Sequence, residues 1–196
     1  TGTLPNGQAV ILKDDGTVEA IGISVVTPAD TVPTGSAVVY NTTSRISNHG
    51  MAFDQNNVGK FVIVYNDPVG NSGGIAVIGQ VSGSSMTFGT PVIFRTGSNT
   101  KLSSDSTMVA FDPNDSTKIV IVYAYGSSVE RGEVIVGTVS GMSLSFGTQV
   151  QITTDNIGHE NVDFDPNNVG KFVISYETRI NGILNGYVMV GTVSGN

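Results

Sequence analysis

Three aspartates recur in nearly the same phrase: Asp54 in MAFDQNNVGKFVIVY, Asp112 in MVAFDPNDSTKIVIVY and Asp165 in NVDFDPNNVGKFVISY. Carboxylates in repeated loops are one way to gather oxygen ligands for calcium. These loops lack the alternating acidic positions and the closing Glu that such a site needs. Asp that folds back onto its own backbone in a turn explains them better. Four arginines, Arg45, Arg95, Arg131 and Arg179, stand one near each inter-strand loop. A glycosidase needs a carboxylate pair across the scissile bond, and a sialidase needs clustered arginines with a Tyr nucleophile. The spacing defines neither, and solvated loop arginines are expected. The two histidines are not repeat equivalents, because His49 aligns with Glu160. Without a companion motif they make neither a zinc site nor a triad. No Gly-rich phosphate loop lies between a strand and a helix. Asn41-Thr-Thr and Asn114-Asp-Ser match the glycosylation sequon, as chance matches do in a chain rich in Asn, Ser and Thr. The sequence thus predicts no catalytic residue, no metal ligand and no cofactor, assigns no binding residue, and reads as a non-enzyme.

Bulk properties narrow the classes further. Of 196 residues, 39% are hydrophobic and 13% charged, which with frequent Val and Ile runs describes a folded, β-rich chain. The formal charge is −7, and the nine Lys and Arg are scattered singly. Phosphate backbones are bound by clustered cations, so no nucleic-acid partner is expected. No apolar run is long enough for a membrane helix, and no membrane partner is expected. Cysteine is absent, which excludes disulfides and thiolate chemistry. The opening at Thr1 rather than Met suggests a processed chain or a fragment.

The elements that carry the aspartates repeat with them. Phe53, Phe111 and Phe164 precede the three Asp at spacings of 58 and 53 residues and are expected to occupy equivalent buried positions. VIGQVSGSSMTFGTPVIF from Val77 and IVGTVSGMSLSFGTQVQI from Ile135 recur in step, and MVGTVSGN closes the chain from Met189. Periods of this size belong to arrays of one supersecondary unit. Each unit reads as four strands. Strand a ends at Phe-Asp, and an Asp-x-Asn-x-x-Gly-Lys turn follows in the first and third copies. Strand b (Phe61–Tyr65, Ile119–Tyr123, Phe172–Tyr176) is apolar on both faces, as a central strand is. Strand c (Ile75–Ser82, Val134–Ser140, Tyr187–Ser194) leads to Gly83-Ser84, Gly141-Met142 or Gly195-Asn196, a two-residue type II′ hairpin. In strand d, Met86, Phe88, Val92 and Phe94 are placed on one face, as are Leu144, Phe146, Val150 and Ile152. Pro91 puts this strand at a sheet edge.

A central b, an edge d and a tight c–d hairpin describe a propeller blade. The fold expected is all-β: a β-propeller-like array of four-stranded antiparallel blades, about three and a half repeats of 53–58 residues. Residues 1–34 are read as a hairpin around Asp15-Gly16, a partial repeat. Residues 35–196 are read as propeller-like repeats with approximate units 35–88, 89–146 and 147–196. Gly35–Tyr40 (GSAVVY) aligns with the d strand Gly89–Phe94 (GTPVIF). Since closed propellers take four to eight blades, the array is expected to be part of a longer or oligomeric assembly. Strand Tyr187–Ser194 is then expected to end beside an absent strand. A stack of β-sandwich modules is the alternative architecture.

The turns are near copies between repeats, whereas the b–c loops (NDPVGNSGG, AYGSSVERGE, ETRINGILNG) and the d–a connectors (RTGSNTKLSSDST, TTDNIGHEN) diverge. In a propeller both loop sets emerge at one end. Arg131, Arg179, Lys101, Tyr125, Ser127 and Ser128 are therefore expected there, with the Asp turns opposite. Free drift of long loops explains the divergence equally well.

The phrases FDPNNVGKFVI (Phe164–Ile174) and VGTVSGxSxSFGT (Val136–Thr148) resemble the repetitive structural proteins of tailed phages from aquatic environments, long tail-fibre or appendage polypeptides. The likeness runs from about Gly35 onward and concerns scaffold phrases, so no site residue is carried over. It implies a non-enzymatic virion structural or tail-fibre-like protein, virion-borne or extracellular, contacting a host surface. The expected partners are other copies or further repeats of the same chain, and host-surface glycans. The alternative is a secreted, lectin-like carbohydrate-binding propeller. The absence of Trp weighs against it, and Tyr125 is the only aromatic in the three b–c loops.

Overall fold

The computed structural model describes residues 10–20, 35–42, 46–67, 73–96, 100–101, 108–126 and 128–194. The chain divides into two units, Thr1–Thr34 and Gly35–Asn196. In the first, β1 (Val10–Leu12) and β2 (Val18–Ala20) form the antiparallel hairpin expected around Asp15-Gly16. Asp15 Oδ1 accepts the backbone N–H and the hydroxyl of Thr17 at 2.9 and 2.6 Å, and Gly16 takes a φ of +80°. These bonds, that of the hydroxyl foremost, hold the Asp15 carboxyl below the usual carboxylate range.

The second unit contains no helix among the described residues. It holds three antiparallel sheets, each made from one contiguous stretch. Sheet 1 comprises β3 (Ser47–Phe53), β4 (Lys60–Asp67), β5 (Gly73–Ser82), β6 (Ser85–Phe88) and β7 (Val92–Arg95). Sheet 2 comprises β8 (Thr100–Lys101), β9 (Val109–Asp112), β10 (Asp115–Tyr125), β11 (Arg131–Ser140), β12 (Ser143–Phe146) and β13 (Val150–Gln151). Sheet 3 has β14 (Ile157–Phe164), β15 (Lys171–Ile180) and β16 (Ile183–Thr192). Strand b (β4, β10, β15) is central in every sheet, and strand d, split into β6/β7 or β12/β13, lies at the edge. The all-β reading is observed, with the a-b-c-d order in sheets 1 and 2 and a-b-c in sheet 3.

Strands β4 and β10 are apolar on both faces because each face enters a different core. Val62, Val64, Ala76 and Ile78 on the trailing face of sheet 1 pack against Phe111, Ile119, Ile121, Tyr123 and Ile135 on the leading face of sheet 2. Val120, Val122 and Val134 on the trailing face of sheet 2 pack against Val162, Phe164, Phe172 and Ile174 of sheet 3. Phe61, Ile63, Tyr65, Ile75 and Val77 on the leading face of sheet 1 are covered by Tyr40, Met86 and Phe88. Valine and isoleucine supply this two-sided packing with little loss of side-chain freedom.

Two turn predictions hold in detail. Asp54 Oδ1 accepts Asn56 N–H at 2.9 Å and Oδ2 accepts Asn57 Nδ2 at 2.7 Å, and Asp165 repeats the pattern with Asn167 and Asn168 at 2.9 and 2.7 Å. Gly59 and Gly170 supply the positive φ of +76° and +71°. Gly83 and Gly141 each take φ +60° between the paired residues Ser82↔Ser85 and Ser140↔Ser143, with no positive φ at Ser84 or Met142, the signature of type II′ hairpins.

Four expectations are corrected. Strand d does not keep one face: Met86 and Phe88 enter the core ahead of sheet 1, whereas Val92 and Phe94 enter the core behind it. The interruption at Gly89–Pro91 carries the strand from one core to the next. In sheet 2, Leu144 and Phe146 face forward, Ile152 backward, and Val150 is exposed. Second, the third b–c connection is no long loop: β15 and β16 run on to Ile180 and Ile183 around Asn181-Gly182, both at positive φ (51° and 83°) as a type I′ turn demands. Third, Phe53, Phe111 and Phe164 hold the same register opposite Phe61, Ile119 and Phe172 but not the same burial: Phe53 is 53% exposed, against 4% and 5%. Phe111 and Phe164 are covered by the preceding sheet, whereas no sheet precedes Phe53 among the described residues of its unit. Fourth, Gly35–Tyr40 makes no ladder. It nevertheless sits where a d strand would. A Cβ on Gly35 would meet Ser84 O at 2.7 Å, as one on Gly89 would meet Met142 O. Tyr40 packs on Tyr65 and Phe88 at 5.3 and 6.1 Å, as Phe94 packs on Tyr123 and Phe146 at 5.2 and 5.7 Å.

Candidate functional site

The antiparallel order puts the b–c and d–a loops at one end of each sheet and the Asp turns at the other. In sheet 2, Tyr125 pairs with both Thr100 and Arg131, and Lys101 with Ala124, while Asp112 pairs with Asp115 at the far end of β10. In sheet 3, Arg179 pairs with Leu184 beside the Asn181-Gly182 turn, away from Asp165. The b–c loop of sheet 2 meets the following d–a connector directly: Glu130 N–H donates to Asn156 Oδ1 at 2.7 Å, and Ile157 N–H to Glu130 O at 2.8 Å. Arg45, Ser127, Gly195 and Asn196 lie outside the described residues, as do most of the first b–c loop and the first d–a connector.

The Asp end is a scaffold. Asn56 Nδ2 donates to Pro113 O at 2.7 Å, in the turn of the next sheet, and Asn114 Nδ2 to Asp165 O at 3.3 Å, in the turn after that. Asp112 Oδ2 accepts Gly170 N–H at 2.6 Å. Their oxygens are committed to turns, and no group of three His, Asp or Glu able to hold a metal occurs among the described residues.

The arginines divide. Arg131 is exposed, and Arg179 donates to Gly182 O at 3.1 Å. Arg95 corrects the expectation of a solvated loop residue. It lies on β7, its Nε 3.0 Å from Glu133 Oε2 and its Nη2 donating to Glu133 Oε1 at 3.1 Å, with Cζ 3.6 Å from the centre of the Tyr125 ring. The single charge-assisted hydrogen bond, the close ion-pair contact beside it and the cation–π contact tie the outer strand of sheet 1 to sheet 2. Burial, and next the Glu133 charge, push the nearby Tyr123 phenol far above its ordinary value. Sequence spacing gave no hint of this cluster, whose members come from three strands.

The histidines do not meet. His49 opposes Tyr65 in sheet 1. His159 sits at a bulge of β14 with φ 52°, matching Asn48 with φ 46° in β3, and its Nδ1 is hydrogen-bonded to Glu177 Oε1. Glu160, the repeat equivalent of His49, is fully buried. Its Oε2 has no partner among the described residues, and burial raises the carboxyl above its ordinary value.

The third sheet differs most from its siblings. Its trailing residues Val173, Val188 and Val190 are 39%, 71% and 66% exposed, whereas the equivalents Val62, Ala76 and Ile78 of sheet 1 are fully buried. A shallow depression of ≈ 310 Å³ is lined by His159, Ser175, Glu177, Gly186 and Val188. Strand β16 pairs with β15 alone among the described residues. A cavity of ≈ 300 Å³ opens between sheets 2 and 3, lined by Val134, Ile152, Phe172, Ile174 and Met189. In the preceding interface, Leu144 and Phe146 of the d strand pack into the core instead.

No protein-family model matches the chain, and no curated protein matches it. The geometry defines the class: an all-β repeat protein of successive antiparallel sheets, stitched through shared cores and chained Asp turns.

Proposed function

We propose that the chain is a β-propeller-like scaffold and works as a non-enzymatic structural or appendage protein of a virion, its b–c and d–a loops meeting a host surface. The supporting observation is the division of labour within each sheet. The Asp end is built from copied, mutually bonded turns, and the opposite end from loops that differ between repeats and touch one another at Glu130 and Asn156. Strands β3, β9 and β14 also line a single groove of ≈ 460 Å³, as the innermost strands of adjoining blades do. The extracellular or virion setting is carried by the resemblance of the repeat phrases alone.

The test is attachment. Arg131→Ala, Ser128→Ala and Arg179→Ala are expected to weaken binding to host cells or arrayed glycans while melting like the parent, since none touches a core. Binding equal to the parent in all three, or no ligand on any surface tested, leaves a spacer role only. The lectin alternative has its aromatic platform compromised, because the Arg95 guanidinium covers one face of Tyr125.

A further inference from the structure

We propose that the third sheet receives a second copy of this chain, head to tail, and that the second copy's Gly35–Tyr40 segment adds to β16 as its outer strand. This inference is independent of the virion reading and concerns only how sheets succeed one another.

The argument is one of repeat equivalence. Each trailing face in the chain that is followed by a sheet is buried by it, at Val62, Ala76 and Ile78 and again at Val120, Val122 and Val134. At the same positions sheet 3 carries the exposed valines Val173, Val188 and Val190, with Ser175 in the place of Val122, an apolar stripe that a sheet facing water on that side does not need. The complementary surface also exists in this chain. Met51 and Phe53, exposed on the leading side of sheet 1, are equivalent to Val109 and Phe111 and to Val162 and Phe164, which are buried between sheets.

The edge tells the same story. Strand β5 is paired by β7 through Ala76↔Val92 and Ile75↔Ile93, and β11 by β13 through Val134↔Val150 and Glu133↔Gln151. The equivalent positions on β16, Val188 and Tyr187, have no outer partner among the described residues. Gly35–Tyr40 already stands ahead of sheet 1 in the position of a d strand's second half, with Gly35 against Ser84 and Tyr40 on Tyr65, yet pairs with no strand. A copy seated on sheet 3 as sheet 2 is seated on sheet 1 brings Val38 opposite Val188 and Val39 opposite Tyr187. Its Asp54 turn then comes within reach of Asn167, the equivalent of the cross-bonding Asn56 and Asn114. An exposed edge of this kind is a template for strand addition. Because the two surfaces differ, the contact is heterologous and continues until a ring closes or a filament grows.

Sedimentation velocity on the 196-residue chain reads the association. The parent is expected to pass from monomer to dimer and larger species as concentration rises. Val188→Asp/Val190→Asp removes one face and Met51→Asp/Phe53→Asp the other, so each variant is expected to stay monomeric. Mixed in equal amounts they are expected to form dimers and nothing larger, since each keeps one intact face. Because the chain has no cysteine, Val188→Cys and Val38→Cys in separate chains give a covalent dimer under mild oxidation, a readout that does not depend on the aspartate variants folding. Monomer at every concentration overturns the proposal, and so does association that survives in either single-face variant. A disulfide within one chain of the Val38→Cys/Val188→Cys variant also overturns it, in favour of ring closure.

Discussion

The core between sheets 1 and 2 and the core between sheets 2 and 3 are built from equivalent strands, yet they close differently. In the first, strand d of sheet 2 brings Leu144 and Phe146 over the far side, and Arg95 reaches across to Glu133 and Tyr125. In the second, sheet 3 offers no d strand among the described residues, a cavity of ≈ 300 Å³ remains, and Glu160 is buried with one carboxylate oxygen unpartnered. The a, b and c strands therefore suffice to stack two sheets, and the d strand seals them. The Arg95–Glu133 pair has no counterpart in the second core, where Thr153 and Tyr187 hold the equivalent positions. That polar tie distinguishes one interface from an otherwise repeating pattern.

The comparison breaks most visibly at the repeated phenylalanines. Phe111→Ala empties a packed position between sheets and is expected to cost about 3–5 kcal/mol in denaturant unfolding, whereas Phe53→Ala is expected to cost under about 1 kcal/mol in dilute monomer. Equal losses would mean that Phe53 is covered in solution. The crossing points come next. A Cβ on Gly89 would lie 2.0 Å from Met142 O, so Gly89→Ala must shift backbone and is expected to destabilise by about 1–3 kcal/mol. At Gly147 the nearest atom among the described residues is Val136 O at 3.8 Å, and Gly147→Ala is expected to change the melting temperature little.

Glu160 sharpens the contrast through pH. Its folded carboxyl titrates above its unfolded value, chiefly because of burial. Stability is therefore full below the unfolded value and falls as pH rises towards the folded one, where the unfolded chain ionises first. Glu160→Gln is expected to raise stability by about 1–2 kcal/mol at pH 7 and to leave it unchanged near pH 4. A gain that is the same at both pH values would assign the effect to packing. Smallest is the turn chain: Asn114→Ala removes the bond to Asp165 O and is expected to cost about 0.5–1.5 kcal/mol, and Asn167→Ala close to nothing in the monomer. Under associating conditions Asn167→Ala is expected to weaken dimerisation, which sedimentation reads directly.

Most of the architecture was legible in the chain because it is local. The Asp-x-Asn-x-x-Gly turns at Asp54 and Asp165, the Gly83 and Gly141 hairpins and the two-sided apolar b strands are set by residues within a few positions of one another. The Asn181-Gly182 turn is equally local, since Asn-Gly is the pair that a two-residue type I′ hairpin favours. Periodicity also revealed that three units share one plan. What alternation alone did not reveal is the change of face at Gly89–Pro91, since an interruption of three residues shifts the phase of everything after it. The Arg95–Glu133–Tyr125 cluster was out of reach for another reason: its members lie 30 and 38 residues from Arg95 and meet only when two sheets stack. The different fates of Phe53, Phe111 and Phe164 were likewise decided by tertiary structure. Identical local sequence fixes identical register, but burial depends on whether a neighbouring sheet is there to exclude water.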